Sequence, residues 1–330
     1  MKKIAGLFIA VFTITMVLVG CSSDAGSGAA EGGDGEIPSE ITFGSATVGG
    51  FWYTLSGAMA DKMADVFPGS STTIVEGGSI SNILGLGEST YHIGFSNGQT
   101  VEEAVNGSGP FEEKIDNVST VATLYPNVFH IVVRADSDIY SVEDLKEKIV
   151  SPGIKGYSGE LAFLDILELS GISYDDLERI EYIGTSDGAD LLRDGHIDAI
   201  AGMIASPVST FQELDTTLGI RLIPLEEEVV EKLYEKNEGY LPYTIEGGTY
   251  PKVTEDVNTV AGYTVLLVDD DLMSTDDVYN LTKMMVENAD TWKTISSVMN
   301  DFDAEYSVEN NVGNMHPGAE RYYKEVGAME

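Results

Sequence analysis

From Ile41 onward, short β-branched runs alternate with segments of helical period, and this alternation narrows the possible folds more than any other feature. A chain of this kind builds α/β layers, with helices covering a mainly parallel sheet. Ile41-Thr42-Phe43-Gly44 is the first strand. Gly57–Val66 predicts a helix with Leu55, Met59, Met63 and Val66 on one face, stopped by Pro68-Gly69. Thr72–Val75 is the next strand, Gly77-Gly78-Ser79 leads into a helix from about Ser81, and His92–Ser96 is a third strand. Val118–Leu124 and Phe129–Arg134 are strand material on either side of Tyr125-Pro126. Ser141 is expected to cap a helical turn with Asp144 at its third position. Leu161–Ser170 predicts a helix closed by Gly171, and Gly188–Arg193 with Ile197–Ile200 a second αβ unit. Val260–Val268 returns as a strand before helices at Asp276–Glu287 and Ala289–Met299. Two blocks with a late strand rejoining the first predict two α/β lobes joined by a two-strand hinge. Lobe 1 is expected at 40–127 and 255–330, and lobe 2 at 128–254. The chain would leave lobe 1 near Tyr125–Phe129 and return within Glu246–Tyr263. Clefts between such lobes are favoured sites for small ligands.

The N-terminal segment has a different logic. Met1-Lys2-Lys3 is a positive start, Ile4–Val19 carries no charge, and Leu18-Val19-Gly20-Cys21 is a small-residue cleavage site. This order predicts a secretory signal peptide over 1–20. The LVGC ending resembles the bacterial lipobox, in which the cysteine receives a diacylglycerol and the chain is cut just before it. Ile4–Val19 is also shorter than the roughly 17–25 residues a membrane span needs. Cys21 is the only cysteine, so no disulfide framework is available. Residues 21–39 are rich in Gly, Ser, Ala and acids, which predicts a flexible tether. The expected location is outside the cytoplasm, held to the cell membrane through lipid on Cys21.

Eighteen basic residues face 55 acidic ones, a formal net charge of −37, which loss of Lys2 and Lys3 would carry two units further. Nucleic-acid binding needs a basic footprint and is excluded, as is electrostatic docking on anionic lipid. Such a surface suits a saline or alkaline exterior, where salt screens its self-repulsion. There is no calcium loop, no H-E-x-x-H, no G-x-S-x-G elbow, no P-loop and no dinucleotide fingerprint. His92, His130, His196 and His316 are too scattered for a metal pair. No metal and no cofactor are therefore expected, and catalysis is not.

Three glycine-rich turns each follow a strand and precede a helix: Gly44–Tyr53, Glu76–Asn82 and Pro152–Gly159. Glycine lets backbone approach a ligand, while the helix N-terminus offers unpaired N–H groups to an anion. Together they predict a cleft for an anion or a carboxylate.

The blocks GSATVGGFWYTLSGAMA, EGGSISN, LYPNVFHIVVR, LLRDGHIDAIAGM and HPGAERYYKEVG, in this order from Gly44 to Gly327, resemble the TAXI family of solute-binding proteins that serve TRAP transporters. The resemblance implies a type II periplasmic-binding-protein fold that closes on a small carboxylate such as glutamate. It also implies TRAP membrane permease subunits as partners. A type II receptor feeding an ABC permease is the alternative binding module, and a lipid-anchored hydrolase the enzymatic one. Thr47, Gly49, Gly50 and Phe51 of the first turn, with Gly78, Ser79 and Asn82 of the second, are expected to hold one end of the ligand. Tyr53, Asn97 and Tyr125 would line the cleft, with Ser158, Thr185 and Ser186 from lobe 2. Arg134 and Arg193 are expected to form solvated ion pairs. Departures lie in the first turn and at Glu160, where the family tends to have Thr, and an acid there disfavours a second negative group nearby.

Overall fold

Helices form where the sequence spaces its apolar residues three and four apart, and strands where β-branched residues cluster. The computed structural model describes residues 38–48 and 50–330. The signal peptide, Cys21, the tether up to 37 and Gly49 lie outside the described residues. The first part of the chain comprises β1 (Glu40–Gly44), α1 (Phe51–Val66), β2 (Ser71–Val75), α2 (Ser79–Gly87), β3 (Ile93–Asn97), α3 (Gly98–Asn106) and β4 (Val118–Arg134). There follow β5 (Ile149–Ser151), α4 (Ser158–Leu169), β6 (Arg179–Ile180), α5 (Thr185–Asp194), β7 (Ala199–Ala205) and α6 (Ser209–Thr217). Next come β8 (Ile220–Leu222), α7 (Glu227–Lys236), β9 (Leu241–Ile245) and β10 (Val257–Asp269). The last helices are α8 (Thr275–Glu287), α9 (Ala289–Ile295), α10 (Ala304–Glu309) and α11 (Pro317–Glu325).

The strands form one sheet in the order β2-β1-β3-β10-β4-β7-β5-β6, with β8 on β4 and β9 on β10. β1 runs parallel to β2 and β3, and β5 runs parallel to β6 and β7. β10, however, is antiparallel to β3, β4 and β9, and β4 is antiparallel to β7 and β8. The sheet is therefore mixed, which corrects the expectation of a mainly parallel one. A late strand that re-enters the first half from the second must run against the strands it joins.

Tyr125-Pro126 does not interrupt β4, which is one strand of 17 residues. The ladder from β4 to β7 begins only at Asn127, so Pro126 lacks an N–H where no β7 partner needs one. On the other side, the register against β10 shifts between Thr264 and Val265, where Tyr125 and then Thr123 are the partners. Such an irregularity re-aims side chains beside it.

Four buried apolar clusters cover the sheet. Phe43, Met59, Phe95, Leu281 and Trp292 belong to one, and Ile83, Leu86, Val101 and Leu267 to a second. Ile131, Val133, Phe163 and Leu233 form part of a third, and Val132, Leu192, Phe211 and Leu214 part of a fourth. Ile131 and Val133 thus face one layer while Val132 faces the other, as a period of two requires. Cluster membership changes between Tyr125 and Val128 on β4, and between Ala261 and Val265 on β10.

Several local expectations need correction. α1 begins at Phe51 and α2 at Ser79, earlier than the apolar periodicity indicates, because the glycine turns run directly into the first helical turn. Ser141 caps nothing. Asp144 instead accepts from the Tyr140 and Ser141 N–H groups at 2.9 and 3.0 Å, closing a short 3₁₀ turn at Glu143–Leu145. The segment Ala289–Met299 is α9 followed by a separate 3₁₀ turn at Ser297–Met299, capped by the Ser296 hydroxyl.

His130 is buried in the second half. Its Nδ1 donates to Val128 O at 2.8 Å, and its Nε2 accepts from Tyr250 Oη at 2.8 Å. Burial lowers its pKa to about 4. The folded state therefore favours neutral imidazole, so this contribution to stability is complete above the ordinary pKa of 6.5 and lost as the pH falls toward 4. About 3 kcal/mol is at stake. Other groups titrate in the same range, so the measurement is a difference: in urea titrations the stability of the wild type relative to His130→Gln is expected to fall by about that amount between pH 6.5 and 4.

Candidate functional site

Strands β2, β3 and β5 each deliver the chain to a helix. Gly78 precedes the first residue of α2, Asn97 ends β3 and caps α3, and Tyr157 precedes the first residue of α4. The first N–H groups of each helix have no intrahelical acceptor, and the helix dipole adds a partial positive charge there. These three N-termini meet at one place.

Ser79 Oγ lies 3.1 Å from Ser158 Oγ, although the two residues come from opposite halves of the sheet. Asn97 Nδ2 donates to both hydroxyls, at 2.9 and 2.8 Å. Asn97 Oδ1 accepts from Asn127 Nδ2 at 2.6 Å, and that amide also donates to Thr264 Oγ1 at 2.5 Å. Trp52 Nε1 reaches the same Thr264 hydroxyl at 3.3 Å. Ser79, Asn97, Asn127, Ser158 and Thr264 are all buried. The network sits where the crossing strands change halves, because Asn127 opens the β4–β7 ladder and Thr264 pairs with both Asn97 and Tyr125.

Tyr125 lies buried beneath this network, its hydroxyl toward Thr264 and Trp52, and burial pushes its pKa well up. Its ring sits 5.5 Å from that of Phe51. Tyr125 therefore supports the floor of the site as a neutral phenol. At the rim, a β-carbon on Gly78 would stand 3.0 to 3.3 Å from atoms of the Tyr157 ring. Burial and the charge of Glu76 raise the pKa of Tyr157. Glu76 also accepts from the Val48 N–H at 3.4 Å, tying the first turn to the second.

A second contact joins the halves beside α3. Gln99 Nε2 lies 3.0 Å from Met203 Sδ, and Asn237 Nδ2 donates to Gln99 O at 2.9 Å. Gly239 approaches so closely that a β-carbon there would be 2.4 Å from Gln99 Cα.

The structure thus brings together Gly78, Ser79, Asn97 and Ser158, over a floor of Tyr125 and Phe51. Thr47 and Gly50 form their own turn, with Gly50 N donating to Thr47 O at 3.0 Å. The hydrogen bond found at Tyr53 is to its carbonyl, from Ser56 Oγ at 3.0 Å. Thr185 and Ser186 open α5, and none of the side-chain hydrogen bonds of the network reaches them. Gly49 lies outside the described residues. Asn82 is corrected: it is wholly buried and donates to Ser45 O and Phe95 O at 2.8 and 2.9 Å. Its Nδ2 ties Ser45 to Phe95 of β3, while its buried Oδ1 has no hydrogen-bond partner among the described residues. Glu160 is also turned away, accepting from Tyr174 Oη at 2.8 Å and Gly156 N at 3.2 Å.

Sequence reasoning missed Trp52, Asn127, Tyr157 and Thr264. Asn127 did carry a signal, since an amide inside the apolar run around LYPNVFHIVV is out of place in a buried strand. No member of the network is charged. Arg134 pairs with Asp136 at 3.0 Å, and Arg193 with Asp190, as the ion-pair expectation had it. Among the described residues, no group of three or more His, Cys, Asp or Glu side chains could hold a metal ion, and no helix is long and apolar enough to cross a membrane.

Three solved proteins are similar to this chain. PhnD1 from Prochlorococcus marinus (MIT 9301), in complex with methylphosphonate, is similar over 87% of this chain and 96% of its own, at 12% identity and a TM-score of 0.50. A protein from Bordetella bronchiseptica RB50 matches over 89% and 90%, at 13% identity and a TM-score of 0.51. The alkanesulfonate-binding protein SsuA from Xanthomonas axonopodis pv. citri, bound to MOPS, matches over 87% and 84%, at 16% identity and a TM-score of 0.43. The fold is that of the type II periplasmic binding proteins. Residues 43–327, nearly all of the described chain, match a single family, and the chain belongs to the NMT1-like family.

Proposed function

We propose that the protein is an extracytoplasmic receptor that captures a small carboxylate between two lobes and hands it to a membrane importer. The observation that carries this reading is the convergence of the α2, α3 and α4 N-termini on Ser79, Asn97 and Ser158. Backbone N–H groups and neutral hydroxyls at such a point favour an anion without needing a cationic side chain. Lobe 1 would comprise 40–127 and 255–330 and lobe 2 128–254, with β4 and β10 as the hinge strands. Solute binding would favour the closed arrangement in which Ser79 meets Ser158. Lipid on Cys21 and the tether at 21–39 would hold the receptor beside its permease and raise their local concentration.

Membership in the NMT1-like family favours an ABC permease as the partner. A TRAP permease rests on the resemblance of the blocks at Glu76–Asn82, Leu124–Pro126 and His316–Ala319. Co-purification of the lipidated chain with co-expressed permease subunits of each type separates the two. For the ligand, calorimetry and thermal shift against amino acids and dicarboxylic acids are expected to return at least one carboxylate that raises the melting temperature. No response from any of them would sink the carboxylate reading.

A further inference from the structure

Away from the Ser79–Ser158 contact, α3 of lobe 1 faces α4 and α7 of lobe 2 across a groove of about 690 Å³. Glu102 and Glu103 come from α3, Asp165 from α4, Glu235 and Lys236 from α7, and Glu238 from the turn after it. Five carboxylates thus meet a single ammonium group. Lys236 Nζ is committed to Asp165 Oδ1 at 2.6 Å, which leaves the α3 carboxylates facing the second lobe without a cation of their own. Like charges brought together on closing cost free energy unless one is neutralised. The Asn237 side-chain amide, donating to Gln99 O, holds these walls together when the lobes meet.

We infer that closing the lobes takes up a proton in this groove, so that solute capture tightens as the pH falls. The inference rests on the two-lobed receptor reading above. Glu103 is the group concerned. Burial, then the charge of Asp165, raises its pKa from 4.5 to about 7, against partial relief from Lys236. Burial and Glu238 push Glu102 in the same direction. The buried hydroxyl of Tyr240 feels Asp165 and Glu103 and stays protonated. Ser108, Gly109 and Pro110, on the remaining wall, are uncharged.

The sign follows from the raised value. In the open form the groove is solvated and Glu103 returns toward 4.5, so the closed form binds more protons between about 4.5 and 7. Above 7 the carboxylate is ionised in both forms and opposes closure. As the pH falls through 7, closure gains, and below 4.5 the gain is complete.

Amide hydrogen exchange on the full chain reads closure without any solute. After correction for intrinsic rates, protection of α3 and of Glu235–Tyr240 is expected to rise about thirtyfold from pH 8 to pH 5.5. Glu103→Gln is expected to be protected at both pH values. Asp165→Asn, a second variant, is expected to move the midpoint lower. Calorimetry with L-glutamate over the same range supplies an independent arm. Equal wild-type protection at both pH values, or an unchanged pH response in both variants, overturns the proposal. A failure of L-glutamate to bind while protection still follows pH counts against that ligand and leaves proton-coupled closure standing.

Discussion

Gly78→Leu is expected to leave the fold intact and to weaken solute binding by about thirtyfold or more. The Gly78 backbone is extended, at φ −162°, so any residue can adopt it without strain. What leucine cannot do is share space with Tyr157, whose ring atoms lie 3.0 to 3.3 Å from the position of the new β-carbon. The remaining side-chain carbons must push the ring, and with it the start of α4, away from α2. Overpacking of this kind costs typically 1–3 kcal/mol, and about 2 kcal/mol corresponds to the stated loss in affinity. The cost falls on the closed arrangement alone, because Gly78 and Tyr157 belong to different halves. Calorimetric affinity and melting temperature, measured together, separate the two effects. Adding Tyr157→Ala should recover part of the binding, since the two changes share one contact. Wild-type affinity in the leucine variant would show that this contact is absent from the solute-bound form.

Asn97→Asp carries the second large expectation, a loss of carboxylate binding of about a hundredfold. Asn97 is the hub of the network, donating to Ser79 and Ser158 and accepting from Asn127. Aspartate keeps the acceptor and places a fixed negative charge where three helix N-termini meet. Two unit charges about 4 Å apart oppose each other by about 4 kcal/mol at an effective dielectric of 20, more than enough for the expected loss. Folding should suffer little, because the helix dipoles that would have held the solute stabilise the new carboxylate. Asn97→Ala should behave in the opposite way, leaving the buried Asn127 amide short of an acceptor at a cost of about 1–3 kcal/mol in stability. Competition assays with charged and neutral solutes distinguish the cases. Undiminished carboxylate affinity in the aspartate variant would falsify the anion reading.

The helices and strands were largely legible, because Leu55, Met59 and Met63 at helical spacing, and the alternation through Ile131–Val133, report directly on which faces are buried. Strand direction was not. Nothing local in VAGYTVLLV says that β10 runs against β3 and β4; that follows from where the chain has travelled before it returns. The candidate site divides in the same way. Ser79 and Ser158 were recognisable as polar residues at glycine-flanked helix starts, whereas Asn97 was named only as lining the cleft, with no helix expected after it. Asn82, of the same residue type and in the same turn, proved to be a brace between β1 and β3.

By itself the sequence determined the α/β class, the glycine turns that open α1, α2 and α4, and a strongly acidic composition. These are consequences of local spacing and composition. Only the tertiary structure decided that Ser79 and Ser158, 79 residues apart, share a hydrogen bond, and that Asn127 and Thr264, 137 residues apart, complete the network. It likewise decided that Glu103 feels the charge of Asp165, because α3, α4 and α7 line one groove. The reason is that hydrogen bonds and charges act over a few ångströms, and the partners are selected by which faces the hydrophobic clusters press together.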